Sequence, residues 1–279
     1  MRKRLSPRVS STLIFGIGLF VAVSCSAPIA SETSKIYLYR VPGPEAPPGS
    51  VDGLIPVARN MSGADVSAVI TALLEGPTSE EQASGITSAV PNGTTLRSVD
   101  IGDRIATIDL SATFDDGGGS MSMFVRLTQL VYTATQFPSV TGVKIKLNGE
   151  PVTTFSSEGI ELLNPMRRSD SLDQLPAIFI DSPAWGATAQ SPLLVSGIAN
   201  VFEAQFRIEL LDSSGNSLAD ASAMATCGTG CWGEFAERIV YTIAETQWGT
   251  LRIYEPSAKD GSPTNVVEYR VRLTPTDQP

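Results

Sequence analysis

Residues 117–152 read GGGSMSMFVRLTQLVYTATQFPSVTGVKIKLNGEPV, and this stretch decides the fold class of the first half of the chain. Over residues 120–136, Phe124, Leu127, Val131 and Ala134 recur at spacings of three and four, with Met123 and Leu130 beside them. That spacing predicts an amphipathic helix with one apolar face. Pro138 lies just past its end. Val143 to Leu147 then reads as a strand, and Asn148-Gly149 as a tight turn. Upstream, Val66, Val69, Ile70, Leu73 and Leu74 give residues 64–75 the same helical period. Gly76-Pro77 stops that helix, and Ser62 or Asp65 is suited to cap its start. TSEEQASG, residues 78–85, predicts a short capped turn of helix. Lys35–Val41 and Leu54–Arg59 read as strands, and Leu96–Leu110 as a hairpin turning at Gly102-Asp103. Residues 35–163 are therefore expected to be an α+β domain, two helices on a small sheet.

The period changes further on. Residues 164–176, NPMRRSDSLDQLP, are polar and read as a linker. Residues 177–275 hold seven short alternating runs: Ala177–Asp181, Leu193–Ala199, Gln205–Leu211, Ser217–Ala225, Phe235–Ile243, Thr250–Glu255 and Val266–Leu273. Turn residues such as Ser214-Gly215-Asn216 and Asp260-Gly261 separate them. The expectation is an all-β sandwich of immunoglobulin-like type, folding separately from the first half.

The chain opens with an export leader. Arg2, Lys3, Arg4 and Arg8 precede TLIFGIGLFVAV at 12–23, an apolar run of 12 residues. That is short of the roughly 20 needed to span a bilayer but suits a signal peptide. The leader ends in AVSC, so residues 1–24 look like a lipoprotein signal peptide and Cys25 like the lipidated first residue. Ala22 stands where Leu is usual in such a signal. Cleavage at this point without lipidation, leaving a secreted protein, is the other reading. Residues 25–34 form the expected tether. Cys227 and Cys231, in CGTGC, remain, and an oxidising exported compartment leaves them free to bridge. A redox or metal pair is the alternative, but the spacing is not C-x-x-C and no further ligands are nearby.

Composition excludes more than it selects. Histidine is absent from the 279 residues. This removes Ser-His-Asp triads, Cys-His pairs and His-ligated zinc. Net charge is −9, and losing the leader, with its four basic groups and no acid, takes it to −13. A basic nucleic-acid-binding face is not expected, nor close contact with anionic lipid. Asp115-Asp116-Gly117-Gly118-Gly119-Ser120 could hold an anion or calcium, but it has neither the phosphate-loop nor the EF-hand spacing. Asp100, Asp103, Asp109 and Asp115 could supply paired carboxylates, yet nothing in the hairpin forces two into one cleft. No Ser-x-x-Lys motif offers histidine-free hydrolysis. Trp185, Trp232 and Trp248 fall in loops or strand ends, where they could stack on a sugar or peptide or cover the sandwich ends.

Four strings carry a family resemblance in the first half: LLEGPTSEE, SAVPNGTTLRSVDI, ATIDLSATF and the stretch quoted first. Residues 35–163 resemble the GerMN domain of spore germination proteins. DSPAWGATAQSPLLVSGIANVFEAQFRIELLD and YEPSAKDGSPTNVVEYRVRL make residues 177–275 similar to the immunoglobulin-like domain of bacterial spore germination proteins. The resemblance implies a membrane-anchored, extracytoplasmic, non-catalytic protein that needs no cofactor. It would act as a scaffold or protein-binding module for cell-envelope proteins, held on the outer face of the cytoplasmic membrane by its lipid. A solute- or glycan-binding lipoprotein is the alternative, in which a cleft between the domains and the three Trp would matter.

Overall fold

The computed structural model describes residues 33–61 and 63–275. The leader and Cys25 lie outside them. The first half opens with a hairpin of β1 (Thr33–Arg40) and β2 (Gly53–Asn60), so the chain enters the fold at residue 33, inside the expected tether. Helix α1 (Val66–Glu75) is capped by Asp65, whose carboxylate accepts from Ala68 N at 2.8 Å. Helix α2 (Ser79–Ala83) starts in a capping box between Thr78 and Glu81. Glu81 is buried and pairs with Arg59 of β2, which fixes α2 to the sheet. Then come β3 (Ile86–Thr87), β4 (Leu96–Gly102), β5 (Ile105–Leu110), α3 (Ser120–Ala134), β6 (Gly142–Leu147), β7 (Glu150–Pro151), β8 (Thr154–Phe155) and β9 (Ile160–Glu161). Instead of one small sheet there are two, ordered β2-β1-β3 and β4-β5-β6-β7, with β8 and β9 as a separate ribbon. Strands β5 and β6 run parallel and α3 is their crossover.

Helix α3 is buried on more than its apolar stripe. Leu127, Val131, Ala134, Met123 and Leu130 are in the core as expected, but Phe124 is 44% exposed. Arg126, Gln129 and Thr133, which a single-faced helix would turn to water, are buried. The cause lies in β1. Tyr37 stands opposite Pro56, which has no N–H to give. In this register every second residue of β1 turns its backbone groups away from β2, so Tyr37, like Lys35, points toward α3, and Pro56 opposite it gives up no ladder bond. Thr133 Oγ1 accepts from Tyr37 N at 3.0 Å, and Gln129 Nε2 donates to Tyr37 O at 3.1 Å. Beyond the helix end, Gln136 accepts from Lys35 N at 2.9 Å and donates to Lys35 O at 2.6 Å. Polar side chains at positions 129, 133 and 136 thus replace a missing strand along the β1 edge. Arg126 acts similarly on loops, donating to the carbonyls of Ala89, Phe114 and Gly117.

The second half is a sandwich of β10 (Ile178–Ser182), β11 (Thr188–Gln190), β12 (Leu193–Ala199), β13 (Gln205–Leu211), β14 (Ser217–Met224), β15 (Gly233–Ile239), β16 (Gln247–Pro256) and β17 (Pro263–Thr274). The sheets are β10-β12-β15 and β11-β17-β16-β13-β14. All seven expected strands are present within a few residues at their ends; β11, three residues paired parallel to β17, is the addition. Alternation works as the sequence implies: Phe206, Ile208 and Leu210 of β13 are buried, and Phe206 meets Phe235 of β15 at 4.8 Å. Cys227 and Cys231 are bonded in the β14–β15 loop, with Cα atoms 5.8 Å apart. The loop folds so tightly that a Cβ on Gly233 would lie 2.2 Å from Cys227 N.

The halves do not behave as two bodies on a string. The described residues all fall in one compact unit. A single apolar core runs from Ile36, Leu38 and Val57 in the first half to Ile178, Ile180 and Trp185 in the second. Backbone pairs join them as well. Trp185 N donates to Pro56 O at 2.8 Å and Trp185 O accepts from Ala58 N at 2.9 Å, extending the β2 edge. Val266 N donates to Gly49 O at 2.8 Å. The stretch read as a linker holds a 3-10 helix, Arg168–Gln174, packed on α3. Composition suggested a solvated spacer; its Arg168 and Leu175 instead insert between the halves.

Gln129 is the most consequential polar residue of α3. Gln129→Leu strands the buried Tyr37 carbonyl and the half-buried Ala89 N–H, at about 1–3 kcal/mol for each unsatisfied group. Urea unfolding should show a loss of at least ~2 kcal/mol. Phe124→Gln on the same helix should change stability by less than about 0.5 kcal/mol.

Candidate functional site

The densest polar cluster lies on the seam between the halves. Strand β1 presents Lys35 and Tyr37, α3 presents Tyr132, the 3-10 helix presents Arg168, and β10 presents Phe179 and Asp181. The Tyr37 hydroxyl donates to Asp181 Oδ1 at 2.5 Å. Lys35 Nζ lies 3.0 Å from Asp181 Oδ2, and Arg168 Nη1 lies 3.8 Å from Oδ1. Arg168 also donates to Tyr37 Oη and Tyr132 O, both at 3.1 Å, and to Thr135 Oγ1 at 2.9 Å. Its guanidinium sits 4.6 Å over the Tyr132 ring and 5.2 Å over Tyr37. Tyr132 meets Phe179 edge-on at 5.6 Å. One carboxylate, two cations and three aromatic rings therefore close on one another.

The titration of the cluster follows from this packing. Burial alone would raise the Asp181 carboxyl, but Lys35, Arg168 and the Tyr37 hydroxyl outweigh it and hold the carboxyl below its ordinary value of 3.8. Burial raises the Tyr132 hydroxyl to about 12, against the pull of Arg168. Tyr37 is raised well above its ordinary value, first by burial and then by Asp181. Both phenols stay neutral and serve as donors. Beside the cluster opens a groove of about 430 Å³, lined by Arg168, Asp181, Phe179, Ser196 and Glu234 among others. Its lining mixes apolar and polar side chains, and Arg168 and Asp181 are already committed to each other.

The three Trp do not form one exposed surface. Trp185 is 7% exposed, and its backbone is the bridge to β2. Trp232 is half-buried against the Tyr37, Tyr132 and Phe179 cluster. Trp248 is partly exposed, with the Arg270 guanidinium 3.9 Å over its ring, and Arg270 pairs with Glu80 of α2. Each Trp thus packs at the junction: Trp185 is not available as part of an exposed surface, and Trp232 and Trp248 stay partly exposed.

Other expected sites resolve locally. Asp109 accepts from Arg97 at 3.3 Å and from Gly149 N at 2.9 Å. The β4–β5 register puts Asp100 on the same face as Asp109, but Asp109 is spent on these partners. Asp103 sits in the turn. Asp115 ends a 3-10 helix, and its loop is clamped by Arg126 through Gly117 O. Burial raises the Asp115 carboxyl, partly offset by a backbone hydrogen bond from Ser156 and by Arg126. Among the described residues no group of three or more His, Cys, Asp or Glu is placed to hold a metal ion. Sequence reasoning gave neither Arg168 nor Asp181 a role: Arg168 lies in the stretch read as a linker, with the paired arginines of MRRSD as its signal, and Asp181, which opens the string DSPAWG, was read only as part of the family resemblance.

The seam is acid-sensitive. Because the folded Asp181 carboxyl titrates below 3.8, its contribution is complete above that pH and is lost as pH falls through the folded value. Asp181→Asn should lower Tm at pH 7, and the gap to the wild type should close below pH ~4. A gap independent of pH, followed by thermal melts across the acid range, would contradict the assignment.

Comparison with known proteins agrees with the two-part architecture. Residues 37–153 match the family model described as "Sporulation and spore germination", and residues 177–262 match "Immunoglobulin-like domain of bacterial spore germination". No curated protein matches the chain at a significant level. Among solved structures, the first GerMN domain of the sporulation protein GerM from Bacillus subtilis is 23% identical, with a TM-score of 0.37, over 50% of this chain and 98% of that one. The tandem GerMN domains of the same protein are 18% identical, with a TM-score of 0.42, over 75% of this chain and 61% of theirs. The assignment rests on the two family models, which lie in order on either side of Arg168–Gln174. The chain thus carries a domain of the sporulation and spore germination family at residues 37–153 and an immunoglobulin-like domain of bacterial spore germination at residues 177–262.

Proposed function

We propose that this chain is an exported, lipid-anchored scaffold of the bacterial cell envelope that binds other envelope proteins and performs no catalysis. The observation that carries the reading is the seam. It joins two spore-germination domains into one unit and spends four titratable groups shifted from their ordinary values, Tyr37, Tyr132, Arg168 and Asp181, on holding them together. Perturbed groups at a catalytic site face an open position for substrate; Arg168 and Asp181 border the seam groove, but their bonds are spent on Tyr37, Lys35 and one another. The absence of histidine and the export leader support the same reading. No helix among the described residues is long and apolar enough to cross a membrane. Attachment would therefore fall to the leader and to Cys25, which lie outside the described residues.

A solute- or glycan-binding role has one observation in its favour, the seam groove of about 430 Å³. The inward placement of Trp185 and the stacking of Trp248 on Arg270 count against it. Cell-wall fragments at concentrations far above Kd would raise Tm by mass action if this second reading held.

Two measurements test the scaffold reading. A fatty-acid probe should label the wild type in cells and leave Cys25→Ala unlabelled; equal labelling of both would refute the anchor. Crosslinking in intact cells should join the chain to envelope proteins, and wall fragments should leave Tm unchanged. Absence of protein crosslinks together with a fragment-induced rise in Tm would overturn the scaffold in favour of ligand binding.

A further inference from the structure

A second concavity lies between α3 and the segment 160–174, sharing the 3-10 helix Arg168–Gln174 with the seam groove but lined by different residues of it. We infer that it docks an apolar segment bearing lysine or arginine, supplied by a partner protein; this names the contact surface of the scaffold proposed above and rests on that reading. Its floor is Leu127 and Met166, both buried. Its walls are Ile160 and Leu162. On its rim Phe124 is 44% exposed and Leu163 is 61% exposed. Met121, one turn before Phe124 on α3, is 65% exposed and prolongs the apolar stripe toward the helix start. Large apolar side chains gathered around a concave floor mark an interaction site, whereas scattered ones do not.

Volume and charge select the occupant. The groove measures about 260 Å³. That falls short of the roughly 300–1,000 Å³ of pockets that enclose drug-sized ligands, and suits one or two anchor side chains of a protein segment. Three carboxylates, Glu161, Asp170 and Asp173, stand around it, and no Lys or Arg lines it. Asp170 accepts from Arg167 N and from Ser169. Glu161 and Asp173 are exposed, and neither joins an ion pair among the described residues. A second copy of this acidic chain and an anionic lipid surface would each bring like charge to this rim. A segment with leucine-like anchors flanked by cations meets both the floor and the rim, in the manner of an amphipathic helix in a groove.

The probes are two labelled synthetic peptides of about 15 residues, one amphipathic in Leu and Lys and one in Leu and Glu. Their anisotropy is followed against the exported chain at about 50 and about 500 mM salt. The Leu/Lys peptide should bind the wild type, more weakly at high salt. It should bind Phe124→Ser/Leu163→Ser at least about tenfold more weakly, at an unchanged Tm. Glu161→Lys/Asp173→Lys should lose the Leu/Lys peptide and gain the Leu/Glu peptide. No binding to the wild type, or equal binding to the wild type and both double variants, overturns the proposal. Should the serine variant unfold, the charge-reversed variant decides alone. Wild-type self-association abolished by Phe124→Ser/Leu163→Ser would make a second copy the occupant and overturn it too. In cells, a serine variant that keeps every protein crosslink refutes the groove while leaving the scaffold reading intact.

Discussion

Tyr37 is held from two sides, and the rest of the molecule is arranged around that fact. Its backbone is turned outward by the alternation of the β1–β2 ladder, which lets Pro56 stand opposite it, and α3 answers with Thr133 and Gln129. Its hydroxyl reaches the other way, to Asp181 and Arg168. One residue on one strand therefore sets where α3 lies and where the second half docks. A buried strand edge without partners would cost free energy at every unpaired group. Satisfying it with helix side chains fixes the helix register to within one residue, since Gln129, Thr133 and Gln136 must all meet β1.

Periodicity alone makes most of this fold legible in the amino-acid sequence. Helices α1 and α3 and all seven runs of the sandwich follow from spacings of 3.6 and 2, because those patterns depend on burial against a core and little else. What the pattern could not show is which polar residues would be buried. Gln129, Thr133 and Arg126 look like the wet side of α3 until the edge of β1 and the carbonyls of Ala89 and Phe114 are placed beside them. The same limit applies to Phe124, which fits the apolar stripe yet sits beyond the reach of the core. Strands of two residues, such as β3 and β7, are too short to carry a period at all.

The seam was hidden for a related reason. A polar stretch rich in Arg, Ser and Asp has the composition of a spacer, and only the presence of Tyr132 and Tyr37 beneath Arg168 turns it into a wedge. The disulfide could be read from the chain because both cysteines sit four residues apart in one loop. For the three Trp, position in a loop says nothing of direction. Trp185 turns into the core, and Trp248 is covered by Arg270. Together these contacts make a unit suited to presenting fixed surfaces to neighbours. The groove beside α3 is one such surface, since Glu161 and Asp173 on its rim join no ion pair among the described residues.

The central claim is that the two halves unfold as one body because the seam joins them. The molecule carries its own reporters: α1, α2 and α3 all lie in the first half, and Trp185, Trp232 and Trp248 all lie in the second. Urea unfolding of the exported chain, followed at once by helical ellipticity and by tryptophan fluorescence, reads the halves separately. The account predicts coincident transitions with one midpoint. Two separated transitions, with the helical signal lost at a different urea concentration from the fluorescence change, would contradict it.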